Sequence, residues 1–194
     1  MSAENIARRG VLLAGLALMA SGCMPTIGGL GGSSSSGVTL DRRYRRQRVA
    51  YDSTEPVGSI VVDTSQRYLY SIEGGGYAMR YGVGVGEEGL SLKGRATIGR
   101  KAVWPSWTPS ASMIKRKPRL AQYAGGVPGG PNNPLGARAL YLYRGGNDTR
   151  FRLHGTNEPW TIGTAVSNGC IRLTNDDVIY LYERTPEGAA VLVV

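Results

Sequence analysis

From Val57 onward, apolar residues recur at every second position, and a chain patterned this way folds as strands with one buried face. Tyr77, Met79, Tyr81, Val83 and Val85 fall on one side, with Ala78, Arg80, Gly82 and Gly84 on the other. Residues 60–62 and 68–70 are apolar and flank the polar Thr64-Ser65-Gln66-Arg67, which reads as a hairpin. Leu140/Leu142 and Phe151/Leu153 repeat the alternation, and residues 190–194 read as a closing, buried strand. One long helical stripe stands out. Val178, Leu181 and Tyr182 are spaced i, i+3, i+4, behind Thr174 and Asp177 at capping-box spacing and ahead of Pro186-Glu187-Gly188. The expected body is mainly β with one helix in its C-terminal half.

What precedes Val57 reads as delivery rather than fold. Arg8-Arg9 and the apolar run 11–20 suit a signal peptide, being too short to cross a membrane as a helix. Ala20-Ser21-Gly22-Cys23 is similar to a lipoprotein processing box with alanine in place of the usual leading leucine, which makes Cys23 the expected lipidation site, the alternative being a removed secretory peptide that leaves a soluble protein. Residues 24–56 read as a flexible tether, Gly/Ser-rich first and then arginine-rich at 42–48. The remaining 57–194, about 140 residues, suffice for one core and one domain. The chain carries 23 Lys and Arg against 14 Asp and Glu, a net +9. Beside an export leader, that charge suits anionic phospholipid or an acidic cell wall rather than nucleic acid, or equally a solvated, disordered tether with excess charge.

Gly84-Val85-Gly86-Glu87-Glu88-Gly89 matches the glycine spacing of a dinucleotide-binding loop. That loop works only when it turns a strand into a helix whose N-terminus takes pyrophosphate. No helical stripe follows here, and two acidic residues would repel phosphate, so a strand and a glycine-rich turn are expected.

The chemistry concentrates in two short segments. His154, the only histidine, and Cys170, one of two cysteines, are separated by fifteen residues. A thiol attacks as its thiolate, and an unperturbed pKa near ~8.5 leaves a few per cent ionised at neutral pH, so an imidazole is the usual activator. With Cys23 acylated or removed, Cys170 is a free thiol in a disulfide-permissive compartment. Polar and glycine neighbours on both sides argue against a buried structural role. One histidine and one thiol fall short of a zinc site, so no metal is expected. If Phe151 and Leu153 face the core, Arg152 and His154 face the other way at the strand end. The backbone amides of Asn168, Gly169 and Cys170 are the natural donors to a tetrahedral oxyanion. Arg172 suits a substrate carboxylate, or equally an ion pair with Asp176 or Asp177. Between Trp104 and Gly136 lies a proline-, glycine- and tryptophan-rich stretch with a basic cluster at 115–119, the character of a binding loop or lid.

Arg152-Leu153-His154-Gly155-Thr156-Asn157 and Ser167-Asn168-Gly169-Cys170-Ile171-Arg172-Leu173 together resemble the catalytic signature of the L,D-transpeptidases of the YkuD family. Segments 60–70, 82–85, 107–109, 129–136 and 139–143 fall in the order seen in that family. One departure is Asn168, where many members carry a second histidine. The resemblance implies two packed mixed sheets in a β-sandwich or barrel-like domain, with the 104–136 stretch as a long capping loop. It implies Cys170 as nucleophile, His154 as general base and acid, and the Gly155 carbonyl as the group orienting His154. Thr156, Asn157, Ser167 and Arg172 are expected at the substrate. The implied substrate is the peptidoglycan stem tetrapeptide, the acceptor a neighbouring stem or a wall-attached protein, and the location the periplasm, with a lipid anchor and without a cofactor. A hydrolase on the same domain, acting as carboxypeptidase or cross-link amidase, is the enzymatic alternative. An inactive wall-binding lipoprotein is the other.

Overall fold

A computed structural model describes residues 40–87 and 92–194. The leader, Cys23, the Gly/Ser segment and the end of the glycine-rich loop lie outside the described residues. The strands are β1 (Gln47–Ala50), β2 (Ile60–Asp63), β3 (Tyr68–Gly74), β4 (Tyr77–Gly82), β5 (Val85–Gly86), β6 (Gly94–Val103), β7 (Arg138–Arg144), β8 (Asn147–His154), β9 (Ala165–Ser167), β10 (Ile171–Arg172) and β11 (Ala190–Val193). Helices α1 (Ala111–Arg116) and α2 (Asn175–Arg184) complete the regular structure with three short 3-10 turns.

The fold is mainly β. Nine strands form one mixed sheet in the order β1-β4-β3-β2-β11-β6-β7-β8-β10, and β5 and β9 form a small parallel pair. The β2–β3 hairpin turns where Asp63 Oδ1 accepts the N–H groups of Ser65 at 3.0 Å and Gln66 at 2.9 Å. The closing strand β11 lies in the middle, parallel to β2 and antiparallel to β6.

The sheet curls until its ends meet. β4 is near one end of the order and β10 at the other, yet Gly84, two residues past β4, exchanges hydrogen bonds of 2.9 and 2.8 Å with Arg172. A flat sheet would hold those strands far apart at ~4.8 Å per strand. Inside the curl, Ile60, Leu69, Tyr81, Ile98, Leu140, Leu153, Ile171 and their neighbours form one core, closed by Val178 and Leu181 of α2. Thr174 caps that helix, its hydroxyl accepting the Asp177 N–H at 3.1 Å.

The arginine-rich run, expected within the tether, is folded. β1 pairs with β4 at the sheet edge, and Tyr44 is buried where Gly82 and Gly163 leave room that a side chain would fill. Arg46 pairs with Asp177 at 3.3 Å and lies over the Tyr180 ring, while Arg48 pairs with Glu73 at 2.9 Å and lies over Tyr77. These cations are engaged within the domain, because tyrosines and carboxylates from distant strands converge on them. Charge density alone could not foretell that. Among the described residues, no helix is long and apolar enough to cross a membrane.

Candidate active site

β8 ends in His154, β10 begins one residue after Cys170, and the two strands run parallel with Ile171 beside Leu153 and Arg172 beside His154. Leu153 and Ile171 belong to the core, so alternation puts Arg152, His154, Cys170 and Arg172 together on the opposite face. One step back in register sets Cys170 beside Arg152 and diagonal to His154. Strand spacing and rise make that diagonal about 8 Å between backbones, a span two side chains can close.

His154 is 4% exposed, and its Nδ1 lies 2.6 Å from the Gly155 carbonyl. A carbonyl only accepts, so the neutral ring carries its proton on Nδ1 and leaves Nε2 as an acceptor. Burial first, and then the nearby Arg172 guanidinium, lowers the imidazole pKa to about 3. Gly155 is required here, since a β-carbon would overlap the Asn175 carboxamide, whose Oδ1 accepts the Ala137 N–H at 2.9 Å.

The Cys170 thiol points at the Arg150 carbonyl, 3.9 Å away. Burial pushes its pKa above the usual thiol range, while the Arg152 backbone N–H and the Arg152 and Arg172 guanidiniums act the other way. Both shifts favour the uncharged forms, thiol and imidazole. Arg150 itself has φ +66, in a bulge where β8 slips against β7. Asp148 holds that bulge, accepting the Arg150 N–H at 2.7 Å and gripping Arg152 with two bonds of 2.7 and 2.8 Å.

The turn before Cys170 is tied by Ser167. Its hydroxyl accepts the Gly169 N–H at 3.1 Å and donates to the Cys170 carbonyl at 2.6 Å. Of the three amides expected to face an oxyanion, that of Gly169 is thus engaged. Those of Asn168 and Cys170 have no partner among the described residues.

Each of the four residues expected at the substrate makes a contact within the protein. Ser167 is buried with its hydroxyl fully used. Thr156 is buried and accepts the Glu158 N–H at 2.9 Å. Asn157 donates to the Asn132 carbonyl at 3.1 Å, fastening the end of the 104–136 stretch. Arg172 pairs with Glu158 at 2.8 Å, not with Asp176 or Asp177. Its register beside His154 turns it toward the 155–164 loop, whereas α2 lies against the core. The 104–136 stretch carries α1 and touches the turn before Cys170, Arg116 donating to Asn168 Oδ1 at 3.3 Å. Sequence reading missed Asp148, Arg150 and Glu158. In an unbroken strand, residues 148 and 152 would stand ~13 Å apart, and only the bulge joins them. Among the described residues, no three His, Cys, Asp or Glu side chains gather as metal ligands would.

Fold and site define a class: curled, mainly β domains that present one thiol and one histidine on adjacent parallel strands beside a long loop. The chain belongs to the YkuD L,D-transpeptidase catalytic domain family, whose model matches residues 58–193. It is 32% identical over 148 residues to probable L,D-transpeptidase YbiS of Escherichia coli, covering 75% of this chain and 47% of that protein. It thus spans about half the length of that relative. A Brucella melitensis crystal structure described as a probable carnitine operon oxidoreductase, caia, is 46% identical, with TM-score 0.54 over 80% of this chain and 96% of its own. An L,D-transpeptidase from Mycobacterium smegmatis, 18% identical, shares the fold with TM-score 0.51 over 70% of this chain and 57% of its own.

Proposed function

We propose that this protein is a periplasmic, membrane-tethered L,D-transpeptidase acting on peptidoglycan stem tetrapeptides. The observation that carries the reading is the His154 tautomer, because a ring fixed by the Gly155 carbonyl offers Nε2 to the face Cys170 shares. For reaction, the thiol turns from the Arg150 carbonyl to that nitrogen. Sγ then attacks the carbonyl carbon of the third stem residue as its proton passes to Nε2. The oxyanion is met by the Asn168 and Cys170 amides. The bond to the terminal D-alanine breaks, its nitrogen takes the proton from Nε2, and a thioester remains. An amine from a neighbouring stem peptide or a wall-attached protein attacks the thioester and gives a proton to Nε2. The C–S bond breaks, and the thiolate recovers that proton. No metal or organic cofactor enters these steps.

Since both shifts favour the uncharged forms, proton transfer accompanies attack rather than preceding it. The loop over the nucleophile's turn favours a bulky amine over water as acceptor, because its prolines restrict how it moves. Arg116 on Asn168 and Asn157 on Asn132 hold it at both sides of the site. Tethering through an acylated Cys23 completes the reading. Incubation with disaccharide-tetrapeptide tests it by product mass. Cross-linked dimer in excess of tripeptide is expected, whereas tripeptide alone with abundant acceptor amine makes the protein a carboxypeptidase.

A further inference from the structure

A row of side chains leads away from Cys170 across the sheet. Cys170 stands beside Arg152 on β8, Arg152 beside Tyr141 on β7, and Tyr141 beside Arg100 on β6. Arg100 follows the core residue Ile98 by two positions and in an unbroken strand would share its inward face. The register shift between them turns Arg100 outward instead, the re-aiming that a bulge performs. The Tyr141 ring is then flanked by two guanidiniums, Arg100 at 3.6 Å and Arg152 at 4.1 Å from its centre.

The two arginines differ in what remains of their hydrogen-bonding capacity. Asp148 takes both terminal nitrogens of Arg152. Arg100 is exposed and, among the described residues, makes no direct hydrogen bond or salt bridge, although its charge reaches Asp148 and helps hold that carboxyl below the usual range. A guanidinium lying over an aromatic ring keeps its N–H edge free, and that edge matches a carboxylate bidentately. The surroundings have the same sign. Arg100, Arg116, Lys117, Arg150, Arg152 and Arg172 stand with Glu87, Asp148 and Glu158 in this neighbourhood, a surplus of three positive charges. At ~4.8 Å per strand, Arg100 stands about 14 Å from Cys170, within reach of roughly four extended residues.

We infer that Arg100, levelled on Tyr141, is a specificity-determining residue that binds a carboxylate of an anionic peptide whose carbonyl is delivered to Cys170. The inference rests on Cys170 being the acylated thiol, and it adds that the donor is selected by negative charge remote from the attacked bond. Arg152, fixed by Asp148, positions the ring between them.

The test is binding of disaccharide-tetrapeptide to the full chain carrying Cys170→Ser, where no turnover consumes the ligand. It is compared with the same peptide whose carboxylates upstream of the attacked residue are amides. Arg100→Gln is expected to weaken the acidic peptide about tenfold and leave the amidated one unchanged, and Arg100→Lys to recover part of the loss. Equal weakening of both peptides, no weakening of either, or no binding of the acidic peptide overturns the inference. Product formation by the wild type is measured separately, so loss of charge selection and loss of transpeptidation are told apart.

Discussion

The strands β6, β7 and β8 carry two unlike faces. Inward, Ile98, Leu140, Leu142 and Leu153 are at most 1% exposed within one continuous core. Outward, Arg100, Tyr141, Arg152 and His154 are held by directional contacts, a ring between two guanidiniums, a bidentate carboxylate and a 2.6 Å bond to a carbonyl. The inward face is secured by volume and tolerates apolar replacements of similar size. The outward face is secured by individual pairings, each lost with one atom group. Stability and chemistry are therefore separable on the same strands.

Breaking the outward face at Cys170 is expected to have the largest effect. Cys170→Ser is expected to abolish covalent labelling of a soluble protein starting after Cys23 by a carbapenem, with thermal unfolding unchanged. An adduct elsewhere would reassign the nucleophile. His154→Ala should slow labelling by ~10²–10⁴-fold, the usual cost of losing a general base, while circular dichroism stays native. An unchanged rate makes His154 structural.

Breaking the inward face should do the opposite. Leu153→Ala is expected to lower stability by ~2–5 kcal/mol in denaturant unfolding, and Leu153→Met by less than ~1.5 kcal/mol, with labelling by folded protein retained. If Leu153→Ala instead removes labelling without loss of stability, the faces are not separable.

A smaller effect links the two. His154 titrates at about 3 in the fold, below its ordinary 6.5, so between those pH values the unfolded chain holds a proton that the folded chain lacks. Stability from this group is complete above 6.5 and falls as pH drops toward 3, by up to ~1.4 kcal/mol per pH unit. His154→Gln should flatten that slope in unfolding measured from pH 7 to 4. Equal slopes in both proteins would place the acid sensitivity elsewhere.

The same contrast explains what was legible in the sequence. The hairpin of residues 60–70, the buried closing strand and the Thr174-capped helix follow from alternation and capping, which are local rules, and the structure has all three. His154 and Cys170 were legible because each residue type is scarce and the segments around them are distinctive. The structural contacts of Ser167, Thr156, Asn157 and Arg172 were illegible for one reason. Polar residues flanking a site look like ligands in sequence, but loops of this length need internal hydrogen bonds of their own. Folding of the arginine-rich run was illegible because its partners, Asp177, Tyr180, Glu73 and Tyr77, lie far along the chain. Bulges were equally hidden, and they bring Asp148 to Arg152 and turn Arg100 outward.

The central claim is that Cys170 forms a thioester with a stem peptide through His154. Quenched mixing of full-length protein with disaccharide-tetrapeptide, followed by intact mass and peptide mapping, tests it directly. The account predicts an adduct on Cys170 of the donor's mass less that of D-alanine, formed ~10²–10⁴-fold more slowly in His154→Ala. An adduct on another residue, or one that persists in Cys170→Ser, would contradict it.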